Sequence, residues 1–227
     1  MKPLLSVLLL SAFGATFLAA QPPQGGRREP LPNMNAIAEA LGVQCEYCHQ
    51  QPAPAQGPRR IEIAKQMIAM TRDLNEKVQT ATAKAAGVAV KVDCVTCHRG
   101  VAVPRPLGDV LWETTQKQGV DAALAQYRDL RTRYFGKQAY DFGEQTLLLL
   151  SQRVANARPD DAIAFAKLNI EFNPQSSQSY QALAFAYTRK IDDEGAIAAL
   201  EKAVEIDPNN AVARGQLEQL KSYRRKR

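Results

Sequence analysis

The chain has 227 residues, 45% of them hydrophobic and 7% aromatic, with a formal net charge of +6. That length fits one or two domains with an ordinary packed interior, and the plentiful alanine and leucine between turn signals favour an all-α fold. The positive balance is not a nucleic-acid signal: no Lys/Arg stripe alternates with stacking aromatics, and the one dense basic cluster, the tail "KSYRRKR", reads as a frayed, solvated end.

Residues 1–20, "MKPLLSVLLLSAFGATFLAA", have the form of an export segment. Lys2 supplies the positive start, and an apolar stretch from Leu4 to Leu18 is followed by small residues. Cleavage after Ala20 leaves Leu18 where a small residue is preferred, so a signal peptide and an uncleaved N-terminal anchor are both open. Either way the remainder is expected in the periplasm. "QPPQGGRREP" breaks the chain, and 21–32 is expected to be a linker.

Two helical stretches come next, and each runs into the same pentapeptide pattern. "NMNAIAEALG" sets Met34, Ile37 and Leu41 on one face and stops at Gly42, ahead of "CEYCH" at 45–49. "IEIAKQMIAMTRDLNEKV" sets Ile63, Met67, Met70, Leu74 and Val78 on one face, ahead of "CVTCH" at 94–98. The two pentapeptides use up all four cysteines and both histidines of the chain.

Four cysteines in an exported protein ordinarily mean disulfides, but a C-x-x-C disulfide closes a very short loop and removes little chain entropy. Two C-x-x-C pairs could build a four-cysteine zinc site, yet zinc gives no reason for a histidine after each pair. Covalent haem c does. Two thiols two residues apart reach the two vinyl groups of one porphyrin, and the next residue offers an imidazole to the iron. Cys45, Cys48 and His49 would hold one haem, and Cys94, Cys97 and His98 a second.

With no third histidine, bis-histidine ligation within the chain is impossible. A methionine thioether, which favours reduced iron, is the usual alternative. Beyond the initiator the chain has Met34, Met67 and Met70, each upstream of a C-x-x-C-H. Met67 and Met70 share one helix face, and spacing does not choose between them.

The succession of methionine helix, C-x-x-C-H and "CHRG" before a proline-rich segment resembles the cytochrome subunit of photosynthetic reaction centres, over roughly residues 31–106. "LGVQCEYCH" and "VDCVTCHRG" are its signatures here, and the likeness is to dihaem relatives, because the reaction-centre subunit carries four haems and this chain has motifs for two. The resemblance implies that the helix before each motif supplies the methionine. "MNAIAEALGVQCEYCH" then pairs Met34 with His49, and "AKQMIAMTRDLN" pairs Met67 with His98, leaving Met70 as a packing residue.

"VAVPRPLGD" reads as a stiff linker, with a boundary near 108 between a dihaem domain (33–108) and a second, helical-repeat domain (109–227). In the second domain "DAIAFAKLNIEFNP" (161–174) and "GAIAALEKAVEIDP" (195–208) align at a spacing of 34, the tetratricopeptide period. Segment 177–208 resembles that repeat family, with Tyr180, Leu183, Ala184, Tyr187, Ala196, Leu200, Ala203 and Pro208 on its characteristic positions. The preceding unit keeps Leu149, Ala162 and Pro174. "GVDAALAQYRDLRTRY" reads as an unpaired repeat helix and 209–222 as a polar capping helix. Such an array is either a concave protein-docking surface or a buttress for the first domain.

The expected whole is all-α: an exported electron carrier with two covalent haems, ligated by His49/Met34 and His98/Met67, that serves redox protein partners, membrane-bound ones included. No nucleic acid or small-molecule substrate is expected, and no catalytic residue either, because every Cys and His is committed. A dihaem peroxidase and a repeat scaffold with structural metal centres are the rival readings.

Overall fold

The computed structural model describes residues 33–49, 60–83 and 90–226, and the expected export segment (1–20) and linker (21–32) lie outside them. The fold is all-α. Helix α1 (Met34–Leu41) is followed by a single 3₁₀ turn at Cys45–Tyr47, by the long α2 (Arg60–Ala83) and by the one-turn α3 (Cys94–His98). Beyond these come α4 (Leu107–Gln118), α5 (Val120–Tyr134), α6 (Glu144–Val154), α7 (Pro159–Phe172), α8 (Ser177–Arg189), α9 (Asp193–Ile206) and α10 (Ala211–Arg225). Among the described residues no helix is long and apolar enough to cross a membrane.

Local chemistry sets the short elements. The Asn33 side chain accepts from the Asn35 amide at 3.0 Å to start α1. Gly42, left-handed at φ 64, ends it. Asp93 and Thr96 form a capping box that starts α3 at the first cysteine of its motif: the Thr96 amide donates to the Asp93 carboxylate, and the Asp93 amide donates to the Thr96 hydroxyl.

From Leu107 onward the helices form antiparallel pairs, α4 with α5, α6 with α7 and α8 with α9, and α10 packs on α9. First helices also touch first helices (α4–α6, α6–α8), and α5 touches α7, so the pairs stack in order. The period is visible in the bounds: α7 runs from 159 to 172 and α9 from 193 to 206, a shift of 34 at both ends. Equivalent positions are equally buried, Ala162 and Ala196 at 0%, Ile163 and Ile197 at 8%. One core joins the pairs, with Leu111, Tyr127, Leu147, Phe165 and Leu200 among its fully buried side chains.

Three expectations change here. The helix of "GVDAALAQYRDLRTRY" is not unpaired, because α4 packs along it across Gly119 and buries Leu107 and Leu111 in the array core. The basic tail is helical through Arg225 rather than frayed: Lys221 pairs with Glu201 at 2.7 Å, and Arg224 with Glu194. Leu149 is exposed. The first helices of the two later pairs start 33 residues apart, at 144 and 177, so Leu150 takes the buried place that Leu183 takes one pair later.

The first hundred residues pack differently. Of those described, Ile37 and Ala40 are the buried apolar residues, whereas Met34, Ile63, Met67, Met70, Leu74, Val90, Val95 and Val103 stay 38–61% exposed. Several of them line two cavities.

Candidate functional site

The first cavity, ≈750 Å³, lies between α1, the Cys45–Tyr47 turn and the start of α2. Met34 and Ile37 line it from α1, Cys45, Cys48 and His49 from the first motif, and Ile61, Ala64 and Ile68 from α2. The second, ≈920 Å³, lies between α2, α3 and the chain that leaves α3, with Met67, Cys94, His98 and Pro104 in its wall. Both are largely apolar and open to solvent, so the quoted volumes include the space at their mouths. Ile37, Cys48, Ala64 and Ile68 border both, so one wall separates them.

The structure therefore brings Met34, Cys45, Cys48 and His49 together at one cavity, and Met67, Cys94 and His98 at the other. Cys97 is exposed and lines neither of the two, and Met70, 54% exposed, also lines neither. All four cysteines are free thiols. They do not gather: among the described residues no group of three or more His, Cys, Asp or Glu side chains has metal-binding spacing, so the four-cysteine zinc tetrahedron is not formed.

The second motif is held by backbone and side-chain bonds on both sides. Asn75 on α2 donates to the Val92 carbonyl at 2.7 Å and accepts from the Val92 amide at 2.8 Å, pinning the segment that enters α3. Beyond the helix, the Val101 carbonyl lies 3.0 Å from His98 Nδ1. A carbonyl can only accept, so that nitrogen carries the proton and Nε2 keeps its lone pair for a metal. Burial pushes the Cys94 thiol up, and the neighbouring Asp93 carboxylate adds to it. Cys94 therefore rests as a neutral thiol.

The first motif is tied through Arg60. Its guanidinium sits 4.1 Å from the Tyr47 ring centroid and donates to the Tyr47 carbonyl at 3.1 Å, so the start of α2 holds the turn between Cys45 and Cys48. Arg60, Asn75 and the Val101 carbonyl are partners that sequence reading missed. Nothing in the local pattern marks a residue that works by reaching across 13 or 17 positions. The inner α2 row of Ile61, Ala64 and Ile68 is visible as helical spacing, but the methionine row on the same helix is the more conspicuous signal.

The residues fit haem c. Each cavity offers an apolar enclosure, cysteine thiol, imidazole and thioether, and one imidazole has its second nitrogen already bonded.

Helices thus line two apolar cavities, with residues of one C-x-x-C-H motif in the wall of each. Residues 45–152 match the family described as photosynthetic reaction centre cytochrome C subunit, which suggests a haem-binding electron-transfer protein. The match takes in both C-x-x-C-H motifs, begins after Met34 and runs on through α4, α5 and most of α6. No curated protein matches the chain.

Proposed function

We propose that the protein is an exported dihaem cytochrome c that relays electrons between protein partners in the periplasm, membrane-bound partners included. Cys45 and Cys48 would hold the first haem, and His49 and Met34 would ligate its iron. Cys94 and Cys97 would hold the second, with His98 and Met67. The observation that carries this reading is the grouping of Met34 with Cys45, Cys48 and His49 at one apolar cavity, and of Met67 with Cys94 and His98 at the adjoining one.

When bound, haem supplies one-electron chemistry at its iron. The chain does the rest. The Val101 carbonyl orients His98 for ligation and makes its imidazole a better donor. The isoleucine and alanine walls would keep water away, and a thioether ligand would favour the reduced metal. Because Ile37, Cys48, Ala64 and Ile68 border both cavities, the two centres are neighbours suited to relay. The stacked pairs α4–α9 read as tetratricopeptide-like repeats that dock a partner or brace the haem domain. A peroxidase would need an open or releasable iron position, and with His/Met ligation at both centres a methionine would have to dissociate to provide one.

The test is direct. Protein matured with haem c, then denatured and extracted with acid–acetone, should keep its colour and gain the mass of two haems. A colourless polypeptide that carries one zinc would end the reading.

A further inference from the structure

The two haem-binding segments meet where α1 packs on α3, and their backbones come closest at two glycines. Gly42, three residues before Cys45, is left-handed at φ 64, and Gly100, two residues after His98, is left-handed at φ 84. A Cβ on Gly42 would lie 2.1 Å from the Gly100 carbonyl oxygen and 2.8 Å from its carbonyl carbon, where only a hydrogen fits. In the other direction the Gly100 amide donates to the Ala40 carbonyl at 2.8 Å. The last turn of α1, the helix that begins with Met34, is thereby bonded to the chain leaving the second motif. The next residue along is Val101, whose carbonyl orients His98.

We propose that this crossing is a positioning device that makes the two haem sites one cooperative unit, with the placement of α1 at the first site setting the orientation of His98 at the second. It rests on the haem reading above. The path is short and continuous: α1 to Ala40, Ala40 to Gly100 through the amide bond, and Val101 to His98 Nδ1. The shared wall works in the same sense, since Ile37 of α1 borders both cavities. Gly42 is needed for more than its own turn. Gly100 has open space around its Cβ position, with nothing within 4 Å, whereas Gly42 is pressed against backbone that cannot swing aside.

That asymmetry gives the test. Asparagine tolerates the left-handed region better than other side chains, so Gly42→Asn and Gly100→Asn each place it at a positive φ and differ in the clash. Both are made in the full-length haem protein. Attached haem, reduction potentials and low-spin EPR signals are read for each centre, the first haem being assigned by the change that Met34→His causes. Gly42→Asn should shift the signal and potential of the His98 haem, and Gly100→Asn, which adds strain but no backbone clash, should shift them less. A merely structural role would lower thermal stability in both variants with both sets of signals unmoved. A Gly42→Asn effect confined to the first haem would overturn the proposal.

If Gly42→Asn does not accumulate, hydrogen exchange on the wild-type protein decides. The Gly100 amide should exchange at the same rate as the Val43 amide, which closes α1 on the Ala38 carbonyl. Independent exchange, with Gly100 about tenfold faster or more, would overturn the coupling. A wild-type chain without covalent haem would sink the haem reading instead, and exchange at Gly100 would still report on the crossing.

Discussion

At the scale of single residues the sharpest question that the proposed function raises is which methionine would serve a second haem. Met67 and Met70 are three positions apart, so on an α-helix they sit about 60° from each other around the axis and nearly one turn apart along it. Sequence spacing puts both on one apolar face and the family resemblance selects Met67. The structure adds an independent distinction, because α2 turns Arg60, Ile63, Ala64, Met67 and Ile68 towards the second cavity while Met70 is outside its lining and more than half exposed. Met67→Ala should therefore abolish the near-infrared sulfur-to-iron band of the second haem and lower its potential. Met70→Ala should leave both bands in place and change stability by no more than about 0.5 kcal/mol, as exposed side chains usually do. Loss of the band in Met70→Ala, with Met67→Ala unaffected, would show that the ligand assignment is wrong.

At the scale of elements, α2 and α3 depend on each other through one side chain. Asn75 completes both backbone groups of Val92 and sets where the chain turns into Asp93 and the capping box of α3. In Asn75→Leu the Val92 amide and carbonyl lose their partners, at a cost of about 1–3 kcal/mol. The expected result is faster hydrogen exchange at Thr96 and the other α3 amides, with a lower Tm, while α7 and α9 amides keep their protection. Unchanged exchange in α3 would mean that the capping box alone holds the motif.

The same elements show what a sequence can carry. Gly42 as a helix stop, the paired C-x-x-C-H segments and the 34-residue shift of α7 to α9 are local or periodic signals, and each is readable from the residues that make it. Features made by partners distant in the chain are less legible. From sequence α5 looks solitary because "LGDVLWETTQKQ" bears a weak repeat pattern, although it starts at a proline and buries Leu107, Leu111 and Thr115. Its Glu113 binds Arg105 and Lys117, which hold its carboxyl at about 2, and so staples the proline segment to α4. The tail looks frayed when its charges are read singly, and their partners Glu194 and Glu201 lie on α9. The Gly42–Gly100 crossing is the extreme case, since a glycine needed by a neighbour 58 positions away looks like any other helix stop.

At the scale of the whole molecule the question is how redox work and recognition divide along the chain. Every residue lining the two cavities falls between Met34 and Pro104, and the helical array begins at Leu107. A hydrogen bond crosses between the halves from Arg99 Nη1 to the Gln138 carbonyl at 3.2 Å, and both residues are left-handed, at φ 49 and 58. The contact is slight beside the continuous core of the array. Redox competence is therefore expected to reside in a fragment of about residues 21–105, cut before Leu107 so that no buried array residue is left behind. That fragment should bind both haems with His/Met spectra, although it loses the Arg99 anchor next to His98. The array should act in encounter, where surface contacts set recognition and association rate more than potential. Reduction by a small, non-specific reductant should proceed at similar rates for the fragment and the full-length protein. Reduction by membranes or periplasmic extract of the native host should be much slower for the fragment. Equal rates in both assays would make the array a brace rather than a docking surface. A fragment that binds no haem would move the redox unit's boundary into α4–α6, which the family match also spans.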